Sequence, residues 1–169
     1  MGSDKPNKTE IESWIAELRD RDGMVREKAR EHLVAIGSTA TSFLLPLLSN
    51  HESQTRWEAA KALSEIADPA SIPALLSAFE DDDDDVRWLA AEALAAIGAP
   101  AAAPLLKTLI DGVGSAEIRQ GAHHTLGILR HSEVGDKISE VYRVLDNMHP
   151  DVEIIADAER ALQNLKSSG

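Results

Sequence analysis

Residues 86–98 read VRWLAAEALAAIG, and this stretch decides the fold. Counted from Val86, apolar residues stand at offsets 0, 4, 8 and 11, which at about 100° per residue share one face of an α-helix. A β-strand would need alternation by two, which is absent. Three further segments repeat the spacing, with Arg in second place: VREKAREHLVAIG from residue 25, TRWEAAKALSEIA from residue 55 and IRQGAHHTLGILR from residue 118.

The spacing between the copies indicates an internal repeat. A weaker fifth copy, IIADAERALQNL, begins at Ile154, so the intervals between successive starts are 30, 31, 32 and 36 residues. Each copy follows another amphipathic run, such as the one that ends in Leu75, Leu76 and Phe79. A hairpin of two such helices cannot bury its apolar face alone, so a period of this length predicts stacked hairpins.

We therefore predict an all-α fold of ten helices, a right-handed α-solenoid of the armadillo-like kind. Gly37 and Gly98 are predicted to end helices in the left-handed conformation, and Pro46 to interrupt its helix. One domain is predicted over residues 10–166, after a disordered tail at 1–9 and before a tail at 167–169. Its predicted hairpins cover residues 10–37, 38–67, 68–98, 99–131 and 132–166.

Composition excludes several classes of function. Among the 169 residues, 17 Lys and Arg face 29 Asp and Glu, and the net charge of −12 argues against a nucleic-acid partner. The absence of cysteine removes disulfides and thiolate sites. No apolar run reaches the roughly 18 residues of a membrane span, and the polar start lacks a signal segment, so we expect a cytoplasmic protein.

The third copy carries a family resemblance. Its pattern, Asp-x₄-Val-Arg-x₂-Ala-x₃-Leu-x₂-Ile-Gly, resembles the short HEAT-like repeats first grouped with phycobilisome lyase subunits, and the resemblance covers roughly residues 10–166. It implies that the second helices line a concave surface and that Asp and Arg form a structural ladder. Arg119 lies out of register because the loop before it is two residues longer. The matching ladder pairs are Asp20 with Arg26, Asn50 with Arg56, and Asp81 with Arg87.

The outward face of the second helices is the candidate binding surface. Trp57 and Trp88 share one offset in adjacent copies, and stacked helices lie about 8–10 Å apart, so the two indoles are predicted to form an apolar strip. Tryptophan is a favoured anchor at protein interfaces. The alternative, that both indoles pack against neighbouring helices, stays open, whereas Trp14 is predicted to be core. The predicted partner-binding residues are Trp57, Trp88, Glu31, Lys61, Glu65, Glu92, Gln120, His123 and His124.

Other groupings are interpreted as structural. The acidic run 80–85 is predicted to cap the next helix and to pair with Arg87, with weak divalent-cation binding as the alternative. His123 and His124 are adjacent, so their side chains diverge by about 100° and cannot easily share an ion. Ser115 and Asp151 are predicted helix N-caps. No metal centre, cofactor or catalytic set is predicted.

We predict a non-catalytic interaction or scaffold module that binds a protein or peptide on the concave face. Because acidic residues flank the tryptophans, we expect a basic or amphipathic partner. The alternative, which follows from the resemblance, is a bilin lyase-like or chromophore-handling protein that holds its ligand with Trp57, Trp88, His123, His124 and Lys61. A monomer is favoured, but self-association stays open because Ile155 replaces Arg in the fifth copy.

Overall fold

The computed structural model describes residues 6–146 and 150–167, and this part of the chain is helical, without strands. Ten α-helices pair into five hairpins, which confirms the predicted all-α fold. The helices are α1 (Lys8–Glu17), α2 (Gly23–Ala35), α3 (Ser38–Leu44), α4 (Ser53–Ile66), α5 (Ile72–Ser77), α6 (Asp84–Ile97), α7 (Ala99–Asp111), α8 (Ala116–Leu129), α9 (Gly135–Asp146) and α10 (Asp151–Lys166).

The predicted tails fall mostly outside the described part. Residues 1–5 and 168–169 lie outside the described residues, and helix α1 begins at Lys8, two residues before the predicted start of the repeat domain. Its N-terminus carries a capping box, in which Asn7 and Glu10 satisfy each other's backbone amides.

Proline and glycine shape the helix ends. Pro46 opens a 3₁₀ turn over Leu45–Ser49, so α3 is interrupted as predicted. Gly37 and Gly98 have φ of +60° and +82°, but their ψ angles of −138° and −141° place them outside the left-handed helical region that was predicted. Only glycine enters this extended, positive-φ region freely, because a Cβ would meet the backbone.

Ala67 occupies the position that corresponds to Gly37 and Gly98, and it adopts the left-handed conformation (φ 53°, ψ 38°). This conformation costs an L-residue about 1–2 kcal/mol, more than the extra chain entropy that glycine loses. We therefore expect Ala67→Gly to raise the free energy of unfolding by about 0.5–1 kcal/mol in urea denaturation. The control, Ala156→Gly at an exposed site inside α10, should lower the free energy of unfolding by a similar amount. A lower free energy of unfolding in both variants would contradict the prediction.

The hydrophobic core is continuous from Ile11 to Ala161 and consists mainly of Leu and Ala, with the fully buried Phe79 as its largest side chain. The second helices, α2, α4, α6 and α8, pack successively against one another, and they do so more extensively than the first helices of the same hairpins. The resemblance to short HEAT-like repeats implies that this row of second helices is the inner, concave side.

The fifth hairpin departs from the regular stacking. Helix α9 packs on α8, and α10 packs on α7, so the two helices have exchanged rows relative to the preceding hairpins. The connection from α8 to α9 spans residues 130–134, whereas Gly98 alone separates α6 from α7, and the longer connection allows the hairpin to turn over. The 36-residue interval before the fifth copy was the sign of this irregularity in the sequence.

Candidate functional site

The repeated arginines organise the loops that precede the second helices. In three hairpins the Nη1 group of the repeated arginine donates to the backbone carbonyl of the residue six positions earlier in the chain. The side chain of that earlier residue accepts the backbone N–H of the residue two positions after it. The carbonyl bonds are Arg26 to Asp20 (2.9 Å), Arg56 to Asn50 (2.9 Å) and Arg87 to Asp81 (2.6 Å). The amide bonds come from Asp22, Glu52 and Asp83.

The Asp81 carboxylate pairs with the preceding hairpin and not with the arginine of its own hairpin. Arg56 donates through Nε and Nη2 to both carboxylate oxygens of Asp81, at 2.7 and 2.8 Å, and also contacts Asp82. Arg87 contacts its predicted ladder partner Asp81 through the backbone carbonyl, and its carboxylate partner is Asp84, because the Asp81 carboxylate binds Arg56. Arg119, expected to be out of register, also pairs with the next hairpin, but through a single, more exposed contact with Asp151 at 3.0 Å.

Burial and hydrogen bonding act against each other in the Arg56–Asp81 pair. Burial would raise the pKa of Asp81, but hydrogen bonds from Arg56 and from the Asp83 amide outweigh it, so this pKa lies below its ordinary value. The hydrogen bond to Asp81 raises the pKa of Arg56 despite burial. Both side chains are less than a tenth exposed, so the pair links adjacent hairpins through a fully charged, bidentate contact.

Glu58 is a buried acid that was not among the predicted site residues. Its side chain is 3% exposed and accepts from Arg26 Nε at 2.9 Å, Arg30 Nη1 at 2.5 Å and Gln54 Nε2 at 3.2 Å. The signal was its offset, because the corresponding residues Leu89 and Gly121 are buried. At that offset the second, third and fourth copies are buried, although Lys28 of the first copy is exposed, and a buried carboxylate requires cationic partners.

Trp57 lies in a depression of about 540 Å³ between α2 and α4. The guanidinium carbon of Arg30 stands 5.7 Å from the centroid of its indole, within cation–π range. Since Arg30 is also bound to Glu58, the cation is fixed above the ring. The Trp57 indole is thus half-buried and covered by the protein itself.

Trp88 lies in a depression of about 320 Å³ between α6 and α8, and it is 54% exposed. His124 flanks it, with ring centroids 6.0 Å apart, and is held by Glu92 at 2.5 Å. Gln120 and Gly121 line the same depression. The charged residues of its lining are Asp84, Asp85, Glu117 and Arg87.

The structure brings together only some of the predicted partner-binding residues. Trp88, Glu92, Gln120 and His124 are gathered between α6 and α8, whereas Trp57 lines its own depression. Trp57 and Trp88 thus line separate depressions, and Asp85 lines both, so the single apolar strip stays a prediction. Glu31 is exposed on α2, and Lys61 pairs with Glu65 at 3.3 Å on α4.

His123 is turned toward the last hairpin, where it stacks on Tyr142 with centroids 4.8 Å apart and pairs with Asp146 at 3.2 Å. The residues proposed for bilin binding consequently do not surround one cavity. Trp14, predicted as core, is half-buried and packs on His32, because no preceding hairpin covers that end of the described chain.

The cap assignments were mostly correct. Asp83 accepts from the amides of Asp85 and Val86, and Asp84 pairs with Arg87, so the acidic run caps α6 as predicted. Ser115 caps α8. Asp151, however, is the first residue of α10 and binds Arg119, whereas Pro150 occupies the N-cap position.

Within residues 6–146 and 150–167, no group of three or more His, Cys, Asp or Glu side chains is placed to hold a metal ion. None of the helices in this part of the chain combines the length and apolar character needed to cross a bilayer.

A family model for HEAT repeats matches residues 11–94 and again residues 73–163. The chain belongs to the HEAT-repeat family. Among solved structures, this HEAT-repeat chain is similar to the complex of CpcE and CpcF of phycocyanin lyase from Nostoc sp. PCC7120, at 23% identity and a TM-score of 0.56, covering 99% of this chain and 68% of that one.

A second similar structure is an engineered protein from the Northeast Structural Genomics Consortium, at 24% identity and a TM-score of 0.50, covering 94% of this chain and 80% of that one. Both likenesses show the shared fold of this HEAT-repeat chain and no more. No curated protein matches the sequence significantly.

Proposed function

We propose that this HEAT-repeat chain is a non-catalytic interaction module that binds a peptide segment of a partner protein along the second helices. The observation that carries the proposal is Trp88, whose large apolar side chain stays 54% exposed in a depression on the concave side. Exposed aromatic side chains in such depressions are typical anchors for partner residues. The flanking residues of the proposed surface are Glu31, Lys61, Glu65, Glu92, Gln120 and His124.

The two tryptophans have different roles in this proposal. Trp57 is covered by Arg30 and fixes the contact between α2 and α4, whereas Trp88 is the open anchor. His123, stacked on Tyr142, holds the last hairpin in place. The net charge of −12 favours a basic or amphipathic segment over an acidic one.

The structural neighbour from Nostoc is one chain in a complex of two proteins, which is consistent with a protein partner for this fold. Long concave surfaces that bind extended segments are the general use of stacked helical repeats. A binding role therefore agrees with both the fold and the exposed anchor.

A selection from a random peptide library displayed on phage tests the proposal. Peptides selected on the immobilised wild type should bind it, and most of this binding signal should be lost when the Trp88→Leu variant is the target. Leu cannot offer the same flat ring surface. Since Trp88 is mostly exposed, this variant should keep the helical circular dichroism and melting temperature of the wild type.

Trp57→Leu is the matched control, since it alters the same residue type at the same offset one repeat earlier. Selected peptides should bind this variant nearly as well as the wild type. Failure to enrich any peptide over several rounds, or enrichment of peptides that bind Trp88→Leu as well as the wild type, would overturn the proposal.

A further inference from the structure

The protein contains an internal arrangement that indicates what the Trp88 depression binds. Over Trp57, the guanidinium of Arg30 lies 5.7 Å from the ring centroid, and the Glu58 carboxylate accepts from the same guanidinium at 2.5 Å. An indole face and a carboxylate together provide a cation–π contact and a charge-assisted hydrogen bond. Arginine is suited to both, because its guanidinium is planar, always charged and weakly hydrated.

Among the described residues, no arginine lies over the Trp88 indole as Arg30 lies over that of Trp57. Trp57 and Trp88 occupy the same offset in successive copies, so the residue that corresponds to Arg30 is Ala60, which is fully buried and too short to reach the ring. In place of Glu58 the third copy has the buried Leu89. Trp88 accordingly stays 54% exposed, whereas Trp57 is half-buried.

Carboxylates are nevertheless present at the Trp88 depression. Asp85 and Glu117 line it, and within the described part of the chain the Asp85 side chain has no hydrogen-bond or ion-pair partner. Arg87 also lines the depression, but it is bound by Asp84 and by the Asp81 carbonyl. The depression is therefore acidic overall, and its volume of about 320 Å³ suits one long side chain and not a folded element.

We infer that the Trp88 depression binds an arginine side chain of the partner segment. This arginine lies above the Trp88 indole as Arg30 lies above the Trp57 indole. The guanidinium lies on the indole, and Asp85 and Glu117 accept its N–H groups. This inference rests on the proposed function, because it specifies which partner residue the concave surface anchors.

Indole N–H signals in ¹H–¹⁵N NMR spectra provide the test. The chain has three tryptophans, so Trp57→Leu and Trp88→Leu assign the three signals by elimination. The probes are two capped pentapeptides of alanine that carry at the centre either arginine or citrulline, its neutral isostere. We expect a saturable shift of the Trp88 signal with the arginine peptide, about fivefold or more weaker affinity for the citrulline peptide, and little change at Trp57 and Trp14.

The outcomes separate this inference from the proposed function. Equal affinity for the two peptides, or no Trp88 shift with either while library-selected peptides still bind, overturns the arginine assignment and leaves the proposed function standing. If library-selected peptides also fail to bind, both the arginine assignment and the proposed function are overturned. Loss of the arginine-dependent shift in the Asp85→Asn, Glu117→Gln double variant, with the Trp57 signal unchanged, supports the inference further.

Discussion

Arg56→Ala should lower the free energy of unfolding by about 3–5 kcal/mol, because it leaves the buried Asp81 carboxylate without its bidentate partner. The substitution also removes the donor to the Asn50 carbonyl, so the loop before α4 loses its internal support. Chemical denaturation followed by circular dichroism measures the loss. We expect this substitution to have the largest effect of any in the ladder.

Arg87→Ala is the matched control for that experiment. Arg87 stands at the same offset as Arg56 and donates to the same type of loop carbonyl. Its carboxylate partner, Asp84, is however 88% exposed and lies in the same helical turn as Arg87. An exposed pair contributes little, so we expect a loss of about 1 kcal/mol, mainly from the carbonyl hydrogen bond. Equal losses in the two variants would contradict the view that the inter-hairpin pair is the stabilising element.

Lowering the pH should reduce the difference in the free energy of unfolding between the wild type and Arg56→Ala. The Asp81 pKa in the folded wild type lies below its ordinary value of 3.8, so this contribution to stability is present above pH 3.8 and is lost as the pH falls through the lowered pKa. In the variant the Asp83 amide still donates to Asp81, but the bonds from Arg56 are lost, so burial disfavours the charged carboxylate more strongly and protonation relieves part of the cost. The difference in the free energy of unfolding between the two proteins should therefore narrow as the pH is lowered from about 7 to below 3.8.

Phe79→Ala should cost about 3–5 kcal/mol, because Phe79 is fully buried and its removal leaves a cavity at the centre of the core. The ring lies so close to α8 that a Cβ added at Gly121 would come within 2.8 Å of three of its atoms. Gly121 lines the Trp88 depression, so Phe79 supports the floor of the proposed site from beneath. Calorimetry or denaturant unfolding measures the expected loss.

Phe43, the second phenylalanine of the chain, provides the comparison. It packs against the core from a half-buried position on α3, so Phe43→Ala should cost only about 1–2 kcal/mol. A similar loss in both variants would mean that the tight contact between Phe79 and Gly121 contributes less than the structure indicates.

Much of the fold follows from the repeated spacing. The core positions of the four regular copies, the interruption at Pro46 and the caps at Asp83 and Ser115 were all predictable, because each depends on residues close together in the chain. Local capping and helical periodicity are short-range effects, so a sequence reports them directly.

Features that depend on pairs of hairpins were not predictable in the same way. The partner of Asp81 is Arg56 and not Arg87, and the last hairpin turns over, because both depend on how neighbouring repeats meet. The different environments of Trp57 and Trp88 have the same origin: one repeat supplies Arg30 and the next supplies Ala60. Identical offsets therefore do not imply identical exposure.

Calorimetric titration of one library-selected peptide against the wild type, Trp88→Leu and Trp57→Leu tests the central claim most directly. The account predicts a Kd about 30-fold weaker for Trp88→Leu, which corresponds to a hot spot of about 2 kcal/mol, and a Kd within about threefold of the wild type for Trp57→Leu. Equal Kd values for the wild type and Trp88→Leu, or a greater loss in Trp57→Leu, would contradict the claim that Trp88 is the open anchor of the concave surface.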